Sequence, residues 1–170
     1  MGDTVMANLR CGQKNLPPTA VLRQTGWTLD LAIEGHSMAP LLCAGDNVTI
    51  ACLPPESLRP GDLICFQVGG GFVLHRLLEY RASDRRCFFE KGDAESGGRW
   101  LDESCVLGRA VRINGQAIDD AVAARMLAVS RWESTFAGCL RRLGLPRLPS
   151  VVHRLWRGLK MRLFSGYREK

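Results

Sequence analysis

Pro60-Gly61-Asp62-Leu63-Ile64-Cys65-Phe66-Gln67-Val68-Gly69-Gly70-Gly71-Phe72-Val73-Leu74-His75-Arg76 is the stretch whose reading decides the fold. Two short runs rich in aromatic and branched apolar side chains flank three consecutive glycines, a pattern of strand, reversal and strand rather than of a helix. Residues 63–68 and 72–80 therefore read as the arms of a β-hairpin with Gly69, Gly70 and Gly71 as its hinge. Pro60-Gly61-Asp62 is the turn that opens the first arm, and the second arm carries His75.

Strand signals continue in both directions. On the N-terminal side, 27–34 alternates, with Leu29, Leu31 and Ile33 on one face, and 47–52 is a second strand. Pro54-Pro55 and the turn at 59–62 bracket a short connection. On the C-terminal side, 86–90 and 105–113 read as strands. Between them lie a Lys91-Gly92-Asp93 turn and a Gly97-Gly98 loop, and Asn114-Gly115 closes a tight hairpin. Short strands with turn signals every 8–12 residues or about that predict a mostly β fold, a small coiled antiparallel β-domain over 27–117.

The flanks differ in character. Residues 1–26 form an N-terminal arm, polar up to Pro17-Pro18, with a short helix at 20–24 that Gly26 closes. Residues 118–170 form a helical, basic C-terminal extension. Its first helix is expected at 119–140, Pro146 and Pro149 interrupt it, and 151–164 places Val152, Leu155, Trp156, Leu159 and Leu163 at helical spacing. The formal charge of +6 is concentrated there: 141–170 holds nine Lys/Arg against Glu169 alone, which leaves 14 basic and 16 acidic residues in 1–140. A basic end on a near-neutral body implies an anionic surface as partner more than a charged reaction centre.

At 170 residues and 46% apolar composition the chain suffices for one compact core with an appendage. No run approaches the ~18 uninterrupted apolar residues of a membrane span, and the N-terminus lacks the apolar centre of a secretory signal. The seven cysteines (11, 43, 52, 65, 87, 105 and 139) are odd in number, scattered and without a C-x-x-C pair. Free thiols in a reducing cytoplasm are expected, with no metal site and no cofactor.

Chemistry points to Gly35-His36-Ser37-Met38-Ala39-Pro40, which follows the strand at 27–34 and precedes Gly45-Asp46. A serine displayed on such a bend is a candidate nucleophile if a base lies elsewhere. Serine is a poor nucleophile at neutral pH, and an imidazole, with an ordinary pKa of about 6.5, is a base that works without deep burial. His75 is that base. Lys91, the sole lysine between residues 15 and 159, would have to be desolvated first.

Five segments in order resemble the signal peptidase family and its relatives, the self-cleaving repressor-type peptidases. They are the Gly-x-Ser-Met-x-Pro box with Gly45-Asp46, Pro-Gly-Asp-Leu-Ile-x-Phe at 60–66, Leu-His-Arg at 74–76, Lys-Gly-Asp at 91–93 and Leu-Gly-Arg-Ala at 107–110. The resemblance covers roughly half of the chain. His75 stands where most bacterial members have a lysine, so the chain looks like the Ser-His branch. The resemblance implies a serine endopeptidase that cuts an extended leader or precursor peptide through a Ser37–His75 dyad and an acyl-enzyme. It maps Asp93 onto the family's acidic turn, where it would orient His75 or hold the turn, with Glu95 or Asp102 as substitutes. Met38 and Pro40 would shape the substrate groove, with small residues before the scissile bond.

The chain also departs from the family. Relatives often carry a serine where this chain has Gly35, so one side-chain oxyanion donor is missing beside the backbone N–H of Ser37. The apolar N-terminal anchor of signal peptidases has no counterpart in 1–30, so a soluble form is expected, cytoplasmic or peripheral at the inner membrane face. Residues 150–170 would supply an amphipathic attachment to an anionic membrane surface. Nucleic acid is the less favoured partner, because 30 or so residues before the β-domain are too few for a helix-turn-helix. The rival reading is a relative that binds leader peptides without cutting them, or an interaction protein that docks through its basic tail.

Overall fold

The computed structural model describes residues 19–82, 86–95 and 97–142. The arm before residue 19 and most of the basic extension, including 150–170, lie outside the described residues. Among those described, no helix is long and apolar enough to cross a membrane.

The expected mostly β, antiparallel domain is what the chain forms. A short helix α1 (Thr19–Thr25) leads into β1 (Thr28–Ala32) and β2 (Asn47–Cys52). The glycine-hinged hairpin follows as β3 (Leu63–Val68) and β4 (Gly71–Ala82), then β5 (Arg86–Lys91) and β6 (Arg99–Asp102). The chain returns through β7 (Val106–Ile113) and β8 (Gln116–Ala117) to a long helix, α2 (Asp120–Arg142). The strands make one strongly curled antiparallel sheet in the order β1-β2-β7-β3-β4-β5-β6, with β8 on β7. Curling gives it an inner face, where Leu31, Val48, Ile50, Cys65, Leu74 and Leu107 are sealed together with Met126 of α2. Ile64, Phe66, Val73, Leu77, Phe88 and Val106 form a second cluster on the opposite face of the hairpin strands. Successive residues of a strand point to opposite faces, so β3 and β4 serve both clusters and read as near-continuous apolar runs.

One strand was hidden in the sequence. Residues 99–102, which the sequence assigns to no element, pair with β5 as an edge strand. The approach needs glycine: a Cβ at Gly98 would lie 2.3 Å from the Glu90 carbonyl oxygen. Gly108 in β7 has the same role more severely, since a Cβ there would fall 1.9 Å from the Ala51 carbonyl oxygen of β2. This explains the glycine in the Leu-Gly-Arg-Ala segment by backbone packing. Gly108→Ala is expected to lower unfolding free energy by about 3 kcal/mol or more, measured by chemical denaturation, because the obstacle is backbone that repacking of side chains does not relieve.

Cys52, Cys65, Cys87, Cys105 and Cys139 carry free thiols. Burial raises the pKa of Cys52 above the ordinary thiol value of 9.0. Cys65 is pushed up much further, by burial first and by the neighbouring Cys52 second. The folded chain therefore keeps protons that the unfolded chain sheds above about pH 9, so stability is full below that pH and falls as pH rises beyond it. Urea denaturation between pH 8 and 11 is expected to show this fall, and Cys65→Ala is expected to flatten it.

Candidate active site

Ser37 opens the turn between β1 and β2, and its surroundings are more closed than a serine displayed on a bend implies. The residue is 7% exposed. The segment is pinned by local backbone bonds, Ala39 N–H to the His36 carbonyl at 3.0 Å and Leu42 N–H to the Met38 carbonyl at 3.0 Å. It is also pinned from outside: Ala94 N–H, in the turn after β5, donates to the Ser37 carbonyl at 2.7 Å. Asp46 braces the exit of the loop, accepting from Cys43 N–H at 2.8 Å and from Asn114 Nδ2 at 3.0 Å.

His75 sits on β4 opposite Ile64 of β3, its ring edge-on to Phe66 with centroids 5.8 Å apart. Its Nε2 is 2.8 Å from Ser37 Oγ. Its Nδ1 faces Glu90 Oε2 in a short contact, and the other oxygen of Glu90 accepts from Arg99 Nε at 2.6 Å. His75 and Glu90 are both nearly inaccessible, at 4% and 1% exposed. Serine, imidazole and carboxylate thus form one hydrogen-bonded line. In such a line the base can take the hydroxyl proton while the acid fixes the ring's orientation and tautomer.

No family model matches the chain, and no curated protein matches it. The site is therefore read from its own geometry.

Of the two roles expected for Asp93, orienting His75 or holding the turn, its hydrogen bonds fit the second. It holds Arg76 with two hydrogen bonds, from Nε at 2.9 Å and from Nη2 at 2.7 Å, and accepts from Ser130 Oγ of α2 at 3.3 Å. Arg76 is one residue past His75, so it points to the opposite face of β4 and takes Asp93 with it. The acid on the imidazole is Glu90, which sequence reading passed over as the last residue of a strand. Of the two substitutes, Glu95 lies near the site, with Oε1 4.0 Å from His75 Nε2. Asp102 instead caps the short helical turn after β6 by accepting from Ser104 N–H at 2.9 Å.

Lys91 is also removed from Ser37. Its Nζ is 2.9 Å from Glu133 Oε2 of α2, with both groups buried. Met38 does not line a groove either, because its side chain is sealed in the inner-face core together with Leu41 and Leu42. It anchors the serine turn from beneath. Pro40 is buried beside it and joined to Ala39 by a cis peptide bond. His36 is exposed.

These placements separate two kinds of acid. Asp93→Ala is expected to cost about 3–5 kcal/mol of stability in chemical denaturation, because it leaves the wholly buried Arg76 guanidinium without its partner.

Proposed function

We propose that this chain is a serine endopeptidase that resembles signal peptidases of the Ser-His branch. The observation that carries this reading is the line Ser37 Oγ, His75 Nε2, His75 Nδ1, Glu90 Oε2, buried and hydrogen-bonded throughout. Both ring nitrogens are engaged, one by a hydroxyl and the other by a carboxylate, which is the arrangement that activation of a serine by an oriented imidazole requires.

In the proposed reaction, Ser37 Oγ attacks the carbonyl carbon of an extended peptide while His75 Nε2 accepts the hydroxyl proton. The carbonyl oxygen takes the negative charge, and the backbone N–H of Ser37 is the natural donor to it. His75 then gives the same proton to the leaving nitrogen. The C–N bond breaks, the new amine departs and an ester to Ser37 remains. Water attacks this ester with His75 again as base, and the second tetrahedral intermediate expels Ser37 Oγ as the proton returns to it. Glu90 stays ionised throughout: it accepts from Nδ1–H and stabilises the imidazolium when that forms. Arg99 steadies Glu90 from the solvent side.

Two roles thus differ from those implied by the resemblance: Glu90 serves as the orienting acid, and Met38 supports the nucleophile from the core. Asp93 keeps the second of its two implied roles, holding the turn that positions Ser37.

Incubation of the purified chain with leader-type peptides is expected to give cleavage and a mass increment on Ser37 that matches the acyl fragment. Ser37→Ala should abolish both, and Glu90→Gln should lower kcat by about three to four orders of magnitude, as loss of the orienting acid does in hydrolytic triads. Equal behaviour of the chain and its Ser37→Ala variant would sink the enzyme reading in favour of a protein that binds leaders without cutting them.

A further inference from the structure

Glu95 has its carboxylate beside His75 and in no ion pair with a lysine or arginine among the described residues. Glu90 is bound to Arg99, Asp93 to Arg76 and Glu133 to Lys91. Glu95 Oε1 lies 4.0 Å from His75 Nε2, beyond hydrogen-bond length. Its side chain is 35% exposed, whereas that of Glu90 is 1% exposed. Glu95 therefore faces solvent beside the imidazole nitrogen that handles the proton.

The position is built into the turn. Glu95 N–H donates to the Gly92 carbonyl at 3.0 Å, and Ala94 N–H holds the Ser37 carbonyl. A Cβ at Gly92 would lie 2.8 Å from the Ser37 carbonyl oxygen and 3.0 Å from Glu95 Cγ and Cδ. The bare glycine thus lets the serine backbone and the Glu95 side chain close over one another. The same turn that seats the nucleophile also seats this carboxylate.

The direction it faces follows from the chemistry. A nitrogen that takes the serine proton and passes it on must come within about 3 Å of the departing amine. A carboxylate 4.0 Å from that nitrogen is close enough to meet the side chain of the residue that carries the departing amine. We propose that Glu95 is a specificity-determining residue that selects peptides carrying a lysine or arginine immediately after the bond to be cut. The proposal rests on the endopeptidase reading above. A cationic side chain there supplies Glu95 with an opposite charge, and an acidic one meets like charge at a carboxylate that is 35% exposed, where repulsion is less screened than in open water.

The test uses the full chain, its Glu95→Gln and Glu95→Lys variants, and three peptides with a small residue before the bond. The peptides differ only in carrying lysine, norleucine or glutamate just after it. The expected result is about a tenfold higher kcat/KM for the lysine than for the glutamate peptide in the unmodified chain. The ratio should approach one in Glu95→Gln and invert in Glu95→Lys. An unchanged ratio across the three proteins would overturn the proposal. So would a fall in kcat of equal size on all three peptides, since that is the signature of a carboxylate acting on His75 rather than on substrate.

A binding arm keeps failure of the two readings apart. Fluorescently labelled versions of the same peptides are titrated with Ser37→Ala and with the Ser37→Ala, Glu95→Gln double variant. If nothing is cleaved but lysine-dependent binding is present and disappears in the double variant, Glu95 selects a cationic ligand and the catalytic reading is what fails. Binding without charge preference, or no binding and no cleavage, overturns the Glu95 proposal.

Discussion

A wholly buried guanidinium sets the terms for this fold. Arg76 is 0% exposed, and an unpaired charge there would be too costly for the folded chain to keep. Its needs are met by three separate segments: the Gly61 carbonyl at 2.8 Å before β3, both oxygens of Asp93 after β5, and, through Asp93, the Ser130 hydroxyl of α2. These segments must converge or the charge is stranded. Such a pair adds little net stability over an apolar substitute, but breaking it is expensive, so it disfavours other arrangements of the same strands. The turn at 91–95 is fixed by this requirement, and it carries both the N–H that binds the Ser37 carbonyl and the Glu95 carboxylate.

Glu90 reaches His75 because of a single extra residue. Pairing runs Tyr80 with Phe88 and Glu79 with Phe89, then shifts to Leu77 with Glu90 and Arg76 with Lys91, so Leu78 is a bulge. Continued without that shift, the register would set Glu90 opposite Leu78 and turn it to the face of Arg76, away from the imidazole. With it, Glu90 shares a face with Leu77 and His75 while Lys91 shares the other with Arg76. The bulge has its own support, since Arg131 Nη2 of α2 donates to the Leu78 carbonyl at 3.0 Å. The long helix thus contributes to the site without touching it, by holding the register that aims its acid.

This is where the sequence stops being legible. Turn residues and apolar alternation are local, so β2 and β3 fall within the residues read as strands, and the glycine hinge and the Asn114-Gly115 reversal stand where they were expected. Ser37 and His75 were legible because both lie next to strong punctuation, the Met-x-Pro bend and the end of the glycine hairpin. Glu90 was not, because its face depends on a bulge that no turn residue marks. A lone acid between Phe89 and Lys91 looks like an ordinary strand end. The edge strand at 99–102 escaped for a related reason. Its partner is set by how closely Gly98 approaches Glu90, a tertiary contact that composition does not reveal. Asp93 was expected on its turn with two roles open, and what decides between them is Arg76, which sits beside His75 in the Leu-His-Arg segment and takes both carboxylate oxygens.

The division of labour in that segment has a physical logic. Adjacent strand residues face opposite ways, so His75 and Arg76 each need an acid, and one acid cannot serve both. Asp93, on a turn, has the freedom to present two oxygens in the plane of a guanidinium, the geometry that satisfies a buried arginine best. Glu90, on a strand, has a fixed direction and the longer side chain needed to reach a diagonal neighbour across the ladder. Placing His75 and Glu90 on one face and Arg76 and Asp93 on the other separates their electrostatics. The strong Arg76–Asp93 pair holds the turn beneath Ser37 while the Arg76 charge stays on the far side of the sheet from the His75 ring. A lysine base in place of His75 would have to be driven neutral by burial before it could accept a proton. Lys91, the lysine closest to the site in sequence, is instead bound to the buried carboxylate of Glu133. Of the two basic side chains considered for the role, the imidazole alone is set against the serine hydroxyl.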